Sequence, residues 1–455
     1  MENLLTGTTR HAIKFLESLE QRKVFPTPEA IEQLNSFYEP LPSQSMKPEE
    51  VINILNNLGT PALVANAGGR YFGFVIGGSL PAALAANWLA GAWDQNAFSN
   101  SSSPLAAALE EISLKWIAEA LVLPSDCGGA FVTGATMANF SGLAAARHKV
   151  LEDMGWDVEN DGLFGAPPIK VVVGEEAHST LFKALGLLGL GRKRVLTVPV
   201  DGQGRMKAEA LPPLDKSTIV CIQAGNVNTG AFDPAEEICA IAHAAGAWVH
   251  VDGAFGLWAL ATPNKAHLAA GFKNADSWAT DAHKWLNVPY DSGVVLVRNP
   301  KHLYKAMSIS ATYLPEGMKK EPFHYTPETS RRARGIESWA ALKSLGRLGL
   351  IELIERNCRF ARLFAERLRA EGYEILNEVQ LNQVLVSFGS AEITGKVIAA
   401  IQADGTCWCG GTTWQGHVAM RISVSSWCTT EEDVEQSLAA MLRIATEIVD
   451  KEAKE

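Results

Sequence analysis

The sequence predicts an α/β fold in which a mostly parallel central sheet is covered by helices on both faces. Strand-like apolar runs alternate with helical segments from about residue 128 to residue 297, which is the pattern of a parallel sheet buried on both sides. Two further strand-like segments, 383–387 and 420–424, predict a smaller α+β lobe near the C-terminus. The 455 residues are enough for more than one hydrophobic core. We therefore expect an N-terminal helical arm over residues 1–75, a large domain over 76–340 and a small C-terminal domain over 341–455.

The N-terminal segment has the character of an arm that packs on another surface. A stripe of apolar residues predicts an amphipathic first helix, which ends before Phe25-Pro26-Thr27-Pro28. Farther along, Ser103 followed by Pro104 is the signal of a helix start, because serine caps the free N–H groups and proline fits the first turn.

The central sheet and the helices around it follow from the order of the apolar runs. The helices are expected over 137–150 and 337–369, and the last one begins at the cap signal Thr429-Thr430-Glu431-Glu432. The expected strands of the large domain are 129–132, 169–173, 219–223, 248–251 and 293–297, and the segment 275–279 is also strand-like.

Composition and charge exclude several classes of protein. Hydrophobic residues make up 47% of the chain and charged residues 20%, which is typical of a globular enzyme. The formal net charge is -10 and no run is rich in lysine or arginine, so nucleic acid is not an expected partner. The uncharged segment 71–93 contains Pro81, Asn87 and many alanines, so we expect it to be buried at an interface and not to cross a membrane.

The seven cysteines do not form the even, closely spaced set of a disulfide framework. A reducing cytoplasm is therefore the expected compartment. Cys407 and Cys409 are close enough in sequence to share a metal ion, but no second pair or histidine cluster completes such a site. We expect no metal.

Two strand ends carry residues of complementary chemistry. Asp252 follows the strand-like run 247–251, and Lys284 lies in the stretch 280–286 after the strand-like segment 275–279. In open α/β sheets, ligands bind at the carboxyl ends of the strands. Buried amines are partly neutral and can attack an aldehyde, and a carboxylate stabilises a protonated pyridine nitrogen. The pair predicts a cofactor that needs both groups, and pyridoxal phosphate is such a cofactor.

Two further positions suit the same cofactor. Thr133-Gly134-Ala135-Thr136 lies where a strand gives way to a helix, and N–H groups at a helix N-terminus bind phosphate. His178 follows another strand at the start of a helix. Its flat ring can stack on the cofactor, although histidines at such junctions more commonly cap the helix or pack beside it.

Several short motifs give the chain a resemblance to the group II pyridoxal-phosphate decarboxylases, the family of aromatic-amino-acid, histidine and glutamate decarboxylases. The resemblance runs from about Tyr71 to Trp427. The motifs are Tyr71-Phe72-Gly73-Phe74, Ser103-Pro104 with Leu109-Glu110, Gly134-Ala135-Thr136, Ala177-His178-Ser179, Gly230-Ala231-Phe232-Asp233, His250-Val251-Asp252 and His283-Lys284-Trp285-Leu286. The resemblance implies the type I, aspartate-aminotransferase-like fold of pyridoxal-phosphate transferases. It also implies a homodimer with shared active sites.

The resemblance also implies a role for each motif residue. Lys284 is expected to form the Schiff base, Asp252 to pair with the ring nitrogen, and His178 to stack on the ring. The other implied cofactor contacts are Ala254 beneath the ring, Gly134, Ala135 and Thr136 around the phosphate, and Asp281 and His283 beside it. Asn226 and Asn228 lie in a turn that is hydroxyl-rich in the family, and which of the two contacts the cofactor stays open.

Three departures from the family's pattern bear on the substrate and the outcome of the reaction. Gly77 stands where aromatic-substrate members carry a hydroxyl residue near the substrate carboxylate, and Asp281 replaces an asparagine-type contact. The family's loop tyrosine, which returns a proton to the substrate, has two candidates here, Tyr313 and Tyr325, in the polar segment 304–335.

We therefore expect a cytoplasmic homodimer that converts an L-amino acid into the corresponding amine and carbon dioxide through an external aldimine and a quinonoid. The expected arm, residues 1–75, would contact the second subunit, and residues 76–340 would bind pyridoxal 5'-phosphate. Two alternatives remain. One is a lyase, aldolase or oxidative aldehyde synthase that uses the same cofactor and fold, and the other is a catalytically silent regulatory relative.

Overall fold

The computed structural model describes residues 1–309 and 320–452. In these ranges the α-helices are α1 Glu2–Ser18, α2 Pro28–Glu32, α3 Pro48–Ile54, α4 Pro81–Trp93, α5 Pro104–Ala120, α6 Ala135–Glu152, α7 Val158–Asp161, α8 Ser179–Leu187, α9 Ala235–Ala244, α10 Pro300–Met307, α11 Gly335–Ala370, α12 Ala391–Asp404 and α13 Glu431–Glu452. The strands are β1 Gly128–Val132, β2 Lys170–Gly174, β3 Leu196–Val198, β4 Thr218–Gln223, β5 Trp248–Asp252, β6 Ser277–Asp281, β7 Gly293–Val297, β8 Glu374–Ile375, β9 Gln383–Ser387, β10 Gly410–Trp414 and β11 His417–Ser423.

The larger sheet has the strand order β1-β7-β6-β5-β4-β2-β3. Strand β7 is antiparallel to both of its neighbours, and the other pairs are parallel. Alternate residues such as Val171, Val173 and Ile219 pack in one core cluster with α6 and α8. The intervening residues, among them Val172 and Val220, are also fully buried. Because both faces are covered, a strand such as β7 is apolar throughout, and the predicted α/β class is confirmed.

Local sequence signals explain where the helices that border the site begin. The Ser103 hydroxyl accepts a hydrogen bond from the Ala106 N–H at 3.4 Å, and Pro104 occupies the first turn of α5, as predicted. Helix α6 starts directly after Gly134, whose side chain offers no cap. The first N–H groups of α6 therefore need an acceptor from elsewhere.

The chain divides into two compact units. One comprises Met1–Ile76, Leu363–Leu376 and Leu385–Glu455, and the other comprises Gly77–Arg362 and Asn377–Val384. The larger sheet lies in the second unit. The smaller sheet has the order β10-β11-β9-β8, with antiparallel pairing of β10 to β11 and of β8 to β9. The division predicted at residues 75 and 340 stays a prediction.

Two sequence expectations concern membranes and disulfides. Within residues 1–309 and 320–452, no helix has the length and hydropathy needed to span a bilayer, and the uncharged segment 71–93 contains only the 13-residue helix α4. All seven cysteines lie in the described ranges, and none of them forms a disulfide.

Candidate active site

Strand register brings the predicted site segments to one edge of the larger sheet. Asp252, the last residue of β5, pairs with Gln223 of β4 and with Ala279 of β6. On β7, Gly293 lies opposite Asp281 on one side and opposite Val132 on the other. The chain segments that follow β1, β4, β5 and β6 therefore all begin at the same edge.

The Asp281 carboxylate joins two of these segments. Its side chain is almost fully buried, and Oδ2 lies 3.0 Å from the Nζ atom of Lys284. Its Oδ1 atom accepts a hydrogen bond of 2.6 Å from the Ala135 N–H. The negative charge thus lies at the positive end of α6. A cofactor phosphate at this helix end would compete with Asp281 for the Ala135 donor.

The backbone of Ala254 connects Asp252 with Asp281, the partner of Lys284. The Ala254 N–H donates to Asp252 Oδ1 at 3.3 Å, and the Ala254 carbonyl accepts from the Asp281 N–H at 3.0 Å. Only 21% of the Lys284 side chain is exposed, so it does not project into bulk water. The acid and the amine predicted from the sequence are therefore brought to one sheet edge.

Glycine allows the turn 133–136, the predicted phosphate-binding segment, to approach its neighbours. A Cβ atom at Gly293 would lie 2.4 Å from the Gly134 Cα atom, so any other residue would push the turn away from β7. A Cβ atom at Gly134 would lie 3.3 Å from the Cε1 atom of His283. Thr136, the second residue of α6, is half-buried.

His283 is held in one tautomer beside this turn. Its Nδ1 atom accepts a hydrogen bond from the Ser292 N–H at 3.0 Å, and its Nε2 atom lies 3.7 Å from Asp281 Oδ1. Burial lowers the pKa of His283, so the ring is neutral. The single proton therefore lies on Nε2, facing the carboxylate.

His178 caps a helix. Its Nδ1 atom accepts from the Thr180 N–H at 3.3 Å and contacts Thr180 Oγ1 at 2.7 Å, at the N-terminus of α8. The half-buried ring therefore has the capping role that was the alternative to stacking. The cap uses only the Nδ1 atom and leaves the faces of the ring out of the contact. Stacking of His178 on the cofactor therefore stays a prediction.

The turn after β4 carries a buried donor that needs a partner. The Asn226 Oδ1 atom accepts from the N–H groups of Asn228 at 2.8 Å and Thr229 at 3.2 Å, which orders the turn. The Asn226 Nδ2 atom is buried and has no hydrogen-bond partner among the described residues. A buried donor of this kind is costly unless a ligand or water accepts from it.

Of the two tyrosine candidates, Tyr313 lies outside the described residues. Tyr325 packs against the ring of Tyr304 at 5.7 Å between centroids, and the Lys320 ammonium lies 4.2 Å from the centre of its ring. Burial raises the pKa of Tyr325, which keeps its phenol protonated at neutral pH.

Gly77 has a steric explanation. A Cβ atom at this position would lie 1.9 Å from the Lys284 carbonyl oxygen and 2.9 Å from the Asn287 Cγ atom. The lysine segment thus occupies the space that a hydroxyl side chain would need. Any group that binds a substrate carboxylate here must come from another residue.

Sequence reasoning missed Asn139, which contacts the predicted ring-nitrogen partner directly. Its Nδ2 atom donates to Asp252 Oδ2 at 3.1 Å, and the residue is fully buried in α6. The signal that could have identified Asn139 is its carboxamide inside an alanine-rich helix that starts at the turn 133–136. A buried polar side chain requires a partner.

One cluster outside this site has side chains of the types that bind metals. Ligand atoms of His148, Glu152 and His302 lie within 4.8 Å of one another. Lys305 already forms an ion pair with Glu152, and Glu159 contacts His148 Nδ1 at 2.6 Å. Two of the three side chains therefore already have a partner from outside the cluster.

The arrangement corresponds to a known family. The pyridoxal-dependent decarboxylase conserved domain matches residues 48–390. The chain belongs to this family. It is 24% identical to an aromatic-L-amino-acid decarboxylase of Bacillus atrophaeus, over 96% of this chain and 93% of that protein. It is also 25% identical to a 4-hydroxyphenylacetaldehyde synthase of Rhodiola rosea, over 96% of this chain and 93% of the relative.

The fold is shared with a solved structure. A crystal structure of Oryza sativa TDC with PLP and tryptamine superposes with a TM-score of 0.90 at 22% identity, over 98% of this chain and 99% of that one. The type I fold predicted from the resemblance is thereby confirmed.

Family membership identifies pyridoxal 5'-phosphate as the cofactor and the enzyme as a carboxy-lyase. The residues of this pyridoxal-dependent decarboxylase fit that cofactor. They provide a shielded amine at Lys284, a buried carboxylate at Asp252, the N–H groups at the start of α6 and the Asn226 Nδ2 donor, which has no partner in residues 1–309 and 320–452.

Proposed function

We propose that the enzyme removes carbon dioxide from an L-amino acid and releases the corresponding amine. The observation that carries this proposal is the ion pair of Lys284 with buried Asp281, at the same sheet edge as Asp252. An amine and an acid at one edge match the two ends of the family's cofactor.

Each end of the cofactor has a proposed set of partners in this chain. Pyridoxal phosphate, when bound, supplies an aldehyde and an electron-withdrawing ring. Asp252 would hold a proton on the ring nitrogen, and Lys284 Nζ would bind the aldehyde carbon until a substrate amine replaces it. The remaining proposed contacts are Gly134, Ala135, Thr136 and His283 toward the phosphate end, and His178 and Ala254 on opposite faces of the ring. Asn226 or Asn228 would contact the cofactor from the turn after β4.

Asp281 would orient the lysine. Its Oδ2 atom holds the Nζ atom at 3.0 Å, so the amine starts from a defined position. After carbon dioxide has left, a proton must return to the α-carbon. We assign that step to a tyrosine of segment 304–335, Tyr313 or Tyr325, or to His178, and we assign release of the amine to Lys284.

One alternative reaction has a specific observation in its favour. The relative from Rhodiola rosea is an aldehyde synthase, and it aligns over nearly the whole chain. An oxidative route would also release carbon dioxide, but it would consume oxygen and give an aldehyde, ammonia and peroxide in place of the amine.

Product analysis over the twenty amino acids tests the proposal. We expect at least one amino acid to yield carbon dioxide and amine in equal amounts, without oxygen consumption. The matched control is the Lys284→Ala protein with the same amino acid. Aldehyde and ammonia formed with oxygen uptake would overturn the decarboxylase assignment in favour of the synthase.

We also propose that the enzyme is a homodimer with shared active sites. Large apolar side chains are exposed on α4, where Trp88 is 42%, Leu89 51% and Trp93 43% exposed. Exposed apolar side chains that lie together on one short helix indicate a contact surface. The N-terminal arm also exposes apolar residues, including Leu5 and Ile13.

Sedimentation velocity tests the dimer. We expect the wild-type protein and a Leu348→Glu control to sediment as two subunits, because Leu348, which is 82% exposed on α11, does not belong to the exposed group on α4. Leu89→Glu is expected to shift the protein toward the single-subunit mass, since it places a charge in the proposed contact. A wild-type monomer would contradict the proposal.

We place the enzyme in a reducing cytoplasm. All seven cysteines are without disulfides, and five of them are buried. Proteins of oxidising compartments more commonly use cysteines in disulfides. Thiol alkylation in intact cells, followed by mass spectrometry, is expected to find all seven in the thiol form.

A further inference from the structure

Asp252 is the end point of a chain of buried hydrogen bonds that links residues of β5, β6 and α6. Asn139 Nδ2 donates to Asp252 Oδ2 at 3.1 Å, and Asn139 Oδ1 lies 2.9 Å from His250 Nε2. His250 Nδ1 lies 2.8 Å from Ser277 Oγ, and Trp248 Nε1 donates to the same hydroxyl at 2.9 Å. All five residues are buried.

The carboxylate determines the direction of every bond in this chain. An ionised carboxylate only accepts hydrogen bonds, so Asn139 must turn its amide NH₂ toward Asp252 and its oxygen toward His250. His250 must then carry its proton on Nε2. Its Nδ1 atom accepts from the Ser277 hydroxyl, whose oxygen accepts in turn from the Trp248 N–H. Each donor therefore points toward Asp252.

Burial and the hydrogen-bond partners exclude the charged ring and the Nδ1 tautomer of His250. The ring is fully buried, and burial lowers the pKa of His250 to about 3. The neutral ring has one proton, and only the Nε2 tautomer satisfies Asn139 and Ser277 together. Asn139 is therefore unable to rotate without leaving two buried groups unpaired.

The helix is shaped for this contact. A Cβ atom at Gly142, one turn after Asn139 in α6, would lie 2.7 Å from His250 Cε1 and 3.0 Å from its Nδ1. Glycine at this position thus lets α6 approach the imidazole closely enough for Asn139 to reach it.

We infer that Asn139 and His250 are positioning residues that aim the Asp252 carboxylate at the cofactor's ring nitrogen and stabilise its charged form. The inference rests on the proposed role of Asp252. Hydrogen bonds donated to a carboxylate favour its ionised form, so the proton shared with the ring nitrogen remains on the ring. The chain Trp248–Ser277–His250–Asn139 is named the donor chain below.

The first test reads the donor chain itself. In the full-length holoenzyme with ¹⁵N-labelled histidine, the His250 signals are identified by their loss in His250→Gln. We expect a neutral ring with its proton on Nε2 across the neutral pH range. A proton on Nδ1, or a charged ring, would overturn the donor chain, whatever the role of Asp252.

The second test reads the effect on the cofactor. With ¹⁵N in the pyridine ring of the cofactor, wild-type protein is expected to show a protonated ring nitrogen. Asn139→Leu and His250→Leu are expected to move that signal toward the unprotonated value. They are also expected to lower kcat roughly 10- to 100-fold with little change in KM, the range typical of residues that orient a ligating group.

Two controls separate positioning from packing. His250→Gln retains an N–H donor toward Asn139 and is expected to keep the wild-type ring signal. Ser141→Ala removes another fully buried polar side chain of α6, whose hydroxyl has no partner among the described residues. We expect it to change neither the ring-nitrogen signal nor kcat.

The outcomes are distinguishable. If His250→Leu and Asn139→Leu give the wild-type ring signal, the positioning role is overturned. If Asn139→Leu does not fold, the comparison of His250→Leu with His250→Gln still decides the result. An unprotonated ring nitrogen in the wild-type enzyme would overturn the role of Asp252 and this inference with it, although the His250 tautomer would still show that the donor chain exists.

Discussion

Lys284→Ala is expected to lower the rate of decarboxylation by roughly 10⁴-fold or more, because it removes the nucleophile that binds the aldehyde and that releases the amine. The Nζ atom is held 3.0 Å from buried Asp281, and the side chain is largely shielded from water. Carbon dioxide release under saturating substrate measures the effect.

Covalent trapping shows whether the loss has the proposed cause. Borohydride treatment of the wild-type holoenzyme is expected to fix the cofactor on the peptide that contains Lys284, and mass spectrometry is expected to find no adduct in Lys284→Ala. Lys183→Ala is the matched control, since Lys183 is an exposed lysine of α8. Its adduct and rate are expected to equal those of the wild-type enzyme. An adduct on a different lysine would contradict the assignment of Lys284 as the residue that binds the cofactor.

The central sheet was predictable because burial on both faces leaves a simple pattern. Strand β7 is apolar throughout, and β5 is apolar apart from His250 and Asp252, so each stands out against its flanking polar turns. Strands β3 and β10 were not predicted. The three residues of β3 are mostly exposed, and β10 reads Gly-Gly-Thr-Thr-Trp, so neither carries an apolar run.

The candidate site was predictable where chemistry and strand ends coincide in the sequence. Asp252 and Asp281 end neighbouring parallel strands, and Lys284 comes three residues after Asp281. The partners of these residues were harder to find. Asn139 precedes Asp252 by 113 residues and His250 by 111, so only the packing of α6 on the sheet brings them together.

Some side-chain roles depend on geometry that a motif does not contain. The His178 motif fits both stacking and capping, and the structure shows the cap on α8. The motif around Lys284 likewise gives no hint that Asp281 accepts a hydrogen bond from Ala135, because that contact spans 146 residues. The close approach of Gly293 to Gly134 is equally invisible until β7 is paired with β1.

Asp252→Asn is expected to reduce kcat by roughly 10²- to 10³-fold, the effect typical of losing one preorganised electrostatic partner of a reacting group. Asparagine has nearly the same shape but no charge, so the ring nitrogen loses the partner that stabilises its protonated form. The variant is also expected to differ from Lys284→Ala in one respect. Because Nζ is intact, borohydride should still fix the cofactor to the chain.

The matched control is Asp276→Asn. Asp276 lies just before β6, at the opposite end of that strand from Asp281, and pairs with His243 at 3.0 Å. Its replacement is expected to lower the free energy of unfolding slightly and to leave kcat unchanged. If Asp252→Asn retained full activity and a protonated ring nitrogen, the charge on Asp252 would not be the ring's electrostatic partner. The borohydride adduct on Lys284 would still support the role of the amine, so the roles of the amine and of the acid are tested separately.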